Sequence, residues 1–473
     1  MLPSVVTLQT GMCLNSWILV DVCGFWLAGT KPILAHVLCI ISLLFISAQK
    51  PNNTHIRPYR DFKEAMDITS KAKEGFPSNI DDLYQRGARL IEESVENGVT
   101  SMRAHVEVDS IVGFSCLDVA LDLQSRYQDI CDVQIAVFAQ EALFKNASDT
   151  EPGENYDILC QAMRREGVTV VGSAPYVEPT TEQAKKNIRL IFDAVMGSRE
   201  LAATFHRHID FHLDYNLDPA TEPLIHEVIA QARSYFSLCG RKNCSAGPSI
   251  TIGHATRLQL LTTTEWHDLR AAIGELPITI VGLPQSDMYI QGRAHQGSPL
   301  GPPRSTLRVP YIEKAYGIKV AMAVNNVDNA FTPQGTLDPL SSLVTFGVAI
   351  FQAVTPREVR TLIEAVTLTS RRALGFGSKY LIPVTQSTAS GEKDRENVPK
   401  AEGDQRGGTQ APIPVDLFPT RGDPADFVVL HDNSSLRSAA LHPSFERTTI
   451  KNGRVVARRR KWRWISGATN WPP

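Results

Sequence analysis

The chain has 473 residues, which is enough for one large domain and a smaller one. Its 48 lysines and arginines nearly balance its 50 aspartates and glutamates, and 43% of its residues are apolar. This balance indicates a globular protein with a large core and excludes the strongly basic composition typical of nucleic-acid-binding chains. The eight cysteines are scattered, and the close pair Cys239 and Cys244 has no second pair to complete a zinc site, so we expect reduced thiols in a cytoplasmic protein.

The amino terminus, residues 1–50, is an apolar segment with two apolar runs at 13–28 and 32–48. Each run is shorter than the roughly 20 residues that a membrane helix needs. No lysine or arginine precedes Lys31, so the basic start of a secretory signal is absent. Three interpretations stay open: membrane association through an anchor at 32–48, a buried segment, and an incorrectly predicted first exon.

Residues 61–380 alternate β-rich runs with amphipathic stretches, a pattern typical of βα units around a parallel sheet. Apolar residues recur at helical spacing in residues 81–97, 180–196, 223–235 and 355–374. We therefore predict an α/β fold, a (β/α)8 TIM-type barrel whose first strand is not visible in the sequence. The seven predicted strands lie at residues 101–109, 132–140, 168–176, 208–214, 249–256, 277–284 and 317–326.

Several predicted strands are apolar and then end in polar residues, at the end of a parallel barrel where active sites lie. In the strand HIDFHLD, Asp210, His212 and Asp214 share one face because side chains alternate along a strand. His254 ends the next strand. Neutral imidazoles that converge in this way can bind zinc or iron, and the metal lowers the pKa of bound water. The alternative is that each histidine only makes a local hydrogen bond.

The character of the chain changes after residue 380. Residues 385–414 are polar and rich in Gly, Ser, Glu, Lys and Pro, which predicts a disordered insertion. Residues 415–457 contain three short strand-like runs and predict a small β unit beside the barrel. Residues 458–473 begin with RRRKWRW and form a basic, aromatic tail, which we interpret as solvated. Contact with nucleic acid or membrane is the alternative for this tail.

The ordered motifs HIDFHLD, TIGHAT, LPQSDMYIQGR, GIKVAMAVNN and FTPQGT, with FAQEALF upstream and ADFVVL downstream, resemble cytosine deaminase and its fungal relatives in the amidohydrolase superfamily. The resemblance covers about residues 62–457. It implies a barrel with a small accessory β-sandwich formed by segments from both ends of the chain. It also implies hydrolytic deamination of a small heterocycle by hydroxide bound to one divalent ion, Zn²⁺ or Fe²⁺.

The resemblance assigns roles to individual residues. His212 matches the metal-ligand histidine that ends strand five, and His254 matches the histidine that contacts the metal-bound water. Gln140 matches the glutamine that hydrogen-bonds the substrate base. Gln291 and Arg293 belong to a QGR motif after strand seven, which we expect to bind substrate.

Several positions depart from the family pattern. The family begins its barrel with an HxH strand that supplies two metal ligands, and no such motif precedes Phe62. Without that strand the barrel would have a gap, so we suspect a gene-model error there. The aspartate expected at the end of strand eight, a metal ligand and proton relay, aligns with Asn325. The glutamate expected to protonate the pyrimidine aligns with Tyr215, beside Asp214, and a matching strand-two histidine, His105, is interpreted as structural.

The leading interpretation is a metal-dependent hydrolase that acts on C–N bonds other than peptide bonds in a small cyclic amide or amidine. The alternative is a catalytically impaired barrel that binds a small ligand without turnover. A membrane-anchored protein with a lumenal barrel is a third interpretation, and a homo-oligomer is compatible with each. The predicted site consists of metal ligands His212 and Asn325, catalytic residues His254, Asp214 and Asn325, and substrate-binding residues Gln140, Gln291 and Arg293.

Overall fold

The computed structural model describes residues 62–199, 207–238, 248–291, 304–376, 417–418 and 423–462, together with the backbone of Val37–Ile41. Within them, eight parallel strands form one sheet in sequence order, as expected for consecutive βα units of a barrel. All seven predicted strands are present. The strands are β1 (Val37–Ile41), β2 (Val99–Glu107), β3 (Asp132–Ala139), β4 (Val168–Ser173), β5 (His208–Leu213), β6 (Ile250–His254), β7 (Ile278–Gly282) and β8 (Val320–Met322).

Helices follow the strands, as the helical spacing of the sequence predicts. The helix predicted at 355–374 is two helices in the structure, because Thr367 leaves the helical backbone conformation with φ −127° and ψ −94°. The helices are α1 (Phe62–Lys73), α2 (Ile80–Glu96), α3 (Ser115–Tyr127), α4 (Glu154–Ala162), α5 (Thr181–Arg199), α6 (Ile225–Leu238), α7 (Thr263–Ile273), α8 (Pro284–Ile290), α9 (Val309–Tyr316), α10 (Phe346–Phe351), α11 (Pro356–Ala365), α12 (Leu368–Ala373) and α13 (Leu436–Leu441), with a π-helical turn at Leu340–Thr345 and 3₁₀ turns at Pro175–Val177 and Thr256–Leu260.

The first strand of the barrel comes from the apolar amino-terminal segment. Strand β1 pairs in parallel with β2, and Ile41 is the partner of Ala104. A strand therefore stands beside β2, in the first position of the sheet, where the sequence shows no strand. A short apolar strand and a membrane segment both read as continuous apolar runs, which is why the sequence was ambiguous. The anchor predicted at 32–48 is not supported, since five of its residues are in the sheet and no helix in the described ranges is long and apolar enough to cross a membrane.

The sheet curls around a filled lumen. On a flat sheet, β2 and β5 would lie about 14 Å apart, three strand spacings of about 4.8 Å. In the structure, Nη1 of Arg103 on β2 lies 2.6 Å from Oδ2 of Asp210 on β5 and 2.6 Å from Oγ1 of Thr251 on β6. These contacts are possible only across a lumen, so the sheet has the curvature of a barrel.

Side chains of β5 alternate between the lumen and the helical layer. Ile209 and Phe211 are fully buried on the outer face, where the ring of Phe211 lies 6.0 Å from that of Phe192 on α5. Asp210 and His212 occupy the opposite, inward face. The alternation that the sequence predicts for these four positions is confirmed.

A three-stranded antiparallel sheet accompanies the barrel, with β10 (Arg447–Lys451) between β9 (Phe427–Leu430) and β11 (Arg454–Arg459). The described residues form only this one layer, so the predicted β-sandwich is not confirmed. Strand β11 continues to Arg459, and the tail predicted to start at 458 therefore starts later. The predicted insertion at 385–414 lies outside the described residues.

Buried ion pairs connect the small sheet to the barrel domain. The side chain of Arg447 on β10 is 0% exposed, and its two terminal nitrogens lie 2.6 and 2.7 Å from the carboxylate oxygens of Asp338. The same guanidinium donates to the carbonyl oxygen of Asn97 at the end of α2. Nearby, Nζ of Lys451 contacts Asp132 on β3 at 2.5 Å. Two cations of one strand thus bind carboxylates of the other domain.

We predict that Arg447→Met lowers the free energy of unfolding by about 3–5 kcal/mol, because it leaves Asp338 buried without its cation. Chemical denaturation measures the loss. Arg454→Met, at an exposed position of β11, serves as the matched control and changes stability by less than about 0.5 kcal/mol. Equal effects of the two substitutions would contradict the docking role of Arg447.

Candidate active site at the carboxyl ends of the strands

Three imidazoles from three strands converge inside the barrel. His105 on β2, His212 on β5 and His254 on β6 are each at most 5% exposed, and we call them the histidine cluster. The ring centroid of His212 lies 4.9 Å from that of His105 and 5.0 Å from that of His254. The ring of Phe138 packs against that of His212, with centroids 4.6 Å apart. The cluster lies toward the carboxyl ends of the parallel strands, where barrel enzymes bind their substrates.

Asp210 lies below the histidine cluster in the lumen, two residues before His212 on β5. Its Oδ2 atom is 2.6 Å from Nη1 of Arg103 and 3.1 Å from Nε2 of His105. Burial acts to raise the pKa of Asp210, but His105 and Arg103 together hold it well below its ordinary value. The carboxyl group is therefore ionised at neutral pH.

The space between His105, Asp210 and His212 fits a divalent metal ion. Their potential donor atoms all lie within 4.8 Å of one another, and all three side chains are buried. Neither ring nitrogen of His105 has a hydrogen-bond partner among the described residues, although the ring is only 2% exposed. Two imidazoles and one carboxylate are a donor set typical of zinc and non-haem iron sites.

A small cavity opens beside these three residues, with room for about one water molecule or ion. Gly253 and Asn325 also line it. A Cβ atom at Gly253 would lie 2.8 Å from Cδ2 of His212, so a side chain there would displace the imidazole. Burial, followed by the neighbouring His105 and His254, lowers the pKa of His212 well below its ordinary value, which leaves the neutral ring that a metal requires.

His254 is held by a buried carboxyl group. Its Nδ1 atom lies 3.1 Å from Oδ1 of Asp287, and the hydroxyl of Thr306 donates to Oδ2 of Asp287 at 2.7 Å. Burial lowers the pKa of His254 to about 3 and raises the pKa of Asp287 well above its ordinary value. Burial therefore disfavours charge on both partners, and the imidazole is neutral at ordinary pH. His254 also has a left-handed φ of 68°, which turns the chain out of β6.

Two tyrosines form a wall beside His254. Tyr215 stacks on the imidazole with ring centroids 3.8 Å apart, and Tyr176 meets Tyr215 edge-on at 5.8 Å. The side-chain amide of Gln140 donates to the hydroxyl of Tyr176 at 3.3 Å. Burial raises the pKa of Tyr176 to about 12, so its hydroxyl keeps its proton. The wall of Tyr176 and Tyr215 provides aromatic faces on which a flat ring can stack. Gln140, at its edge, provides an amide for hydrogen bonding.

Most of the predicted site residues lie at or near the cluster. His212 and His254 belong to it, and Asn325 lines the cavity while its amide nitrogen donates to the hydroxyl of Ser286 at 3.1 Å. Gln291 is buried at the end of α8, where its side-chain amide donates to the hydroxyl of Thr256 at 3.3 Å. Arg293 lies outside the described residues.

Asp214 is not brought to the cluster. Its backbone has a positive φ of 55°, which ends the alternation of β5 one residue after Leu213. Its two carboxylate oxygens accept hydrogen bonds from the backbone amides of Leu224 and Ile225, at 2.7 and 3.1 Å. The carboxyl group therefore caps the amino terminus of α6, where four amides lack helical partners.

A second polar cluster, which the sequence analysis did not identify, surrounds Lys73 at the end of α1. The ammonium group lies 2.5, 2.6 and 2.8 Å from carboxylate oxygens of Glu107, Asp109 and Glu141. Burial opposes the charge of Lys73, but the three carboxylates outweigh it and raise its pKa. The lysine occupies the place that a metal would take among these acids, and it attaches α1 to the ends of β2 and β3.

Comparison with known proteins identifies the fold. No protein-family model and no curated protein sequence matches the chain. A 5-methylcytosine deaminase from Klebsiella pneumoniae, crystallised with 5-fluorocytosine, matches with a TM-score of 0.69 at 20% identity, over 92% of this chain and 88% of that one. An N-isopropylammelide isopropylaminohydrolase from Burkholderia multivorans matches with a TM-score of 0.59 at 18% identity, over 91% and 88% of the two chains. Likeness at such low identity concerns the fold.

We predict that Asp214→Ala lowers the free energy of unfolding by about 1–3 kcal/mol, because two buried backbone amides lose their acceptor. Ligand or metal binding at the histidine cluster is expected to persist. Asp218→Ala, in the exposed turn that follows, is the control with a small effect. An Asp214→Ala protein of unchanged stability that has lost activity would instead place this carboxylate in the chemistry.

Proposed function

We propose, on the premise that this chain has the barrel fold of the cytosine deaminase-like amidohydrolases, that it hydrolyses a C–N bond other than a peptide bond. The substrate would be a small cyclic amide or amidine, and the cofactor one divalent ion, Zn²⁺ or Fe²⁺. The observation that carries the proposal is the convergence of buried imidazoles and an ionised carboxylate on one cavity near the strand ends. A structural core does not need such a set of metal-binding groups. Their convergence therefore marks a candidate functional site.

In this proposal His212 would hold the ion, which supplies hydroxide near neutral pH by lowering the pKa of its bound water. His254 would orient the attacking water and take its proton. Its bond through Nδ1 to Asp287 holds the ring in place and leaves Nε2 for this task.

The aromatic wall of Tyr176 and Tyr215 and the amide of Gln140 would bind the substrate. Flat rings stack on tyrosine faces, and an amide both donates and accepts hydrogen bonds, which complements the edge of a cyclic amide or amidine. The side-chain amide of Gln291 donates to the hydroxyl of Thr256, so we give Gln291 no direct role in substrate binding.

The proton path would differ from that of cytosine deaminases. Asn325 stands where the family pattern has a relay aspartate, and an amide cannot accept a proton. Tyr215 stands where a glutamate is expected, and burial keeps its pKa well above its ordinary value, so it does not exchange protons readily. These two positions favour a substrate other than cytosine.

The second candidate function is binding of a small ligand without turnover. Asn325 favours it, and so does β1, whose sequence VLCII contains no histidine. Metal content separates the two functions, since an intact hydrolase holds about one ion per chain and a barrel that only binds ligand holds none.

We predict that the purified chain, loaded with Zn²⁺ or Fe²⁺, releases ammonia or an amine from at least one member of a panel of cyclic amides and amidines. His254→Asn is expected to lower the rate by about 10²- to 10⁴-fold, the usual contribution of a positioned base. His226→Asn, at an exposed position on α6, is the control and leaves the rate unchanged. A chain that takes up no ion, and binds members of the panel without hydrolysing them, would favour the second candidate.

For cytosine itself we predict little or no ammonia release, because Asn325 provides no proton relay. Asn325→Asp alone is not expected to restore the reaction, since the HxH ligands of the family are also absent. Ammonia assays on the unmodified chain and this variant measure both outcomes. Rapid cytosine deamination by the unmodified chain would contradict the proposed proton path.

A further inference from the structure

We infer that the metal of this barrel is held by His105, Asp210 and His212, a ligand set drawn from β2 and β5 instead of β1. The inference rests on the proposed metal-dependent function. It assigns His105, which the sequence comparison treats as structural, to direct contact with the ion. It also places the ion inside the lumen, against the pair of Asp210 and Arg103.

The pairing of the first two strands explains how β2 can replace β1 as a source of ligands. Ile41, the last residue of β1, is the partner of Ala104 on β2. His105 follows Ala104 directly, so its imidazole enters the lumen beside the end of a strand that has no histidine. An imidazole is thereby supplied from the neighbouring strand to nearly the same level of the barrel.

The contacts of His105 indicate a ligand. Both ring nitrogens lack hydrogen-bond partners in the described part of the chain, and buried polar groups rarely stay unsatisfied in native proteins. Nε2 lies 3.1 Å from Oδ2 of Asp210, an approach that does not meet the direction of a hydrogen bond. A cation between the ring and the carboxylate would give Nε2 of His105 the partner that it lacks among the described residues.

The spacing of the donor atoms agrees with one ion. Two donors bonded to one ion at about 2.0–2.2 Å can lie at most about 4.4 Å apart. The donor atoms of His105, Asp210 and His212 lie within 4.8 Å of one another, so shifts of a few tenths of an ångström bring them together. Three protein ligands would leave a coordination position toward the cavity that Asn325 lines.

The other polar groups near the cluster already have hydrogen-bond or ion-pair partners, so we do not assign them to the ion. Nδ1 of His254 is bound to Asp287, and the three carboxylates of the second polar cluster are bound to Lys73. Arg103 holds Asp210 in position, but its positive charge opposes a nearby cation. We therefore expect an affinity below that of a zinc site without an adjacent guanidinium.

The first test measures Co²⁺ affinity and stoichiometry by titration of the full-length protein. The unmodified chain is expected to bind about one ion, and His105→Ala to lose at least about 100-fold in affinity, since even outer-shell partners of a metal contribute about 10- to 100-fold. His254→Asn is the matched control, a buried imidazole of the same cluster outside the ligand set, and keeps most of the affinity. A folded His105→Ala protein with unchanged affinity overturns the inference.

The second test asks whether position 105 touches the ion. In His105→Cys, a thiolate bound to Co²⁺ adds a sulfur-to-cobalt charge-transfer band, which a merely structural residue would not produce. Cobalt binding without that band overturns the assignment of His105.

The third test needs no variant. Metal-catalysed oxidation of the unmodified protein with Fe²⁺, ascorbate and oxygen modifies the side chains that bind the ion, and mass spectrometry locates them. We expect oxidation at His105 and His212, while exposed His226 and His267 stay unmodified. Oxidation that spares His105 overturns the inference.

These outcomes separate the inference from the proposed function. An ion that binds with equal affinity in the presence and absence of His105 refutes the ligand set and leaves a metal-dependent hydrolase intact. An ion held through His105 in a chain that hydrolyses no member of the panel supports the ligand set and refutes the function. A chain that binds no divalent ion refutes both.

Discussion

The buried pair of Arg103 and Asp210 is the interaction on which the rest of the site depends. It joins β2 to β5 across the lumen, and the same guanidinium also contacts Gln134 on β3 and Thr251 on β6. Because side chains two residues apart share a strand face, the next inward positions are His105 and His212. The ion pair that fills the lumen thus sets the level and separation of the two imidazoles, and Asp210 contacts the first of them.

Much of the fold could be predicted because parallel barrel strands combine apolar runs with polar ends. Strand β1 could not be identified, since VLCII carries no polar end and resembles a short membrane run. Asp214 could not be placed either, because its positive φ interrupts the alternation that puts Asp210 and His212 on one face. Neither feature has a local sequence signal that periodicity can detect.

The candidate site was predictable in part. His212, His254 and Asn325 stand at strand ends, and the structure brings all three to one region. Asp287 also follows a strand, but its role depends on contact with His254, 33 residues earlier in the chain. Lys73 and its carboxylates come together only because α1 lies over the ends of β2 and β3. Partners that meet across the barrel cannot be assigned from spacing along one strand.

The barrel described by these contacts combines a buried, histidine-rich cavity with an apolar first strand. On the second strand, His105 has a position beside the end of β1 and two ring nitrogens without hydrogen-bond partners in the part of the chain that the structure describes. The most direct measurement is an anomalous difference map at the zinc edge from crystals of the unmodified chain grown with zinc. We expect one strong peak within bonding distance of His105, Asp210 and His212. A peak bonded to His254 and Asn325 without His105, or zinc-containing crystals with no peak in the lumen, would contradict it.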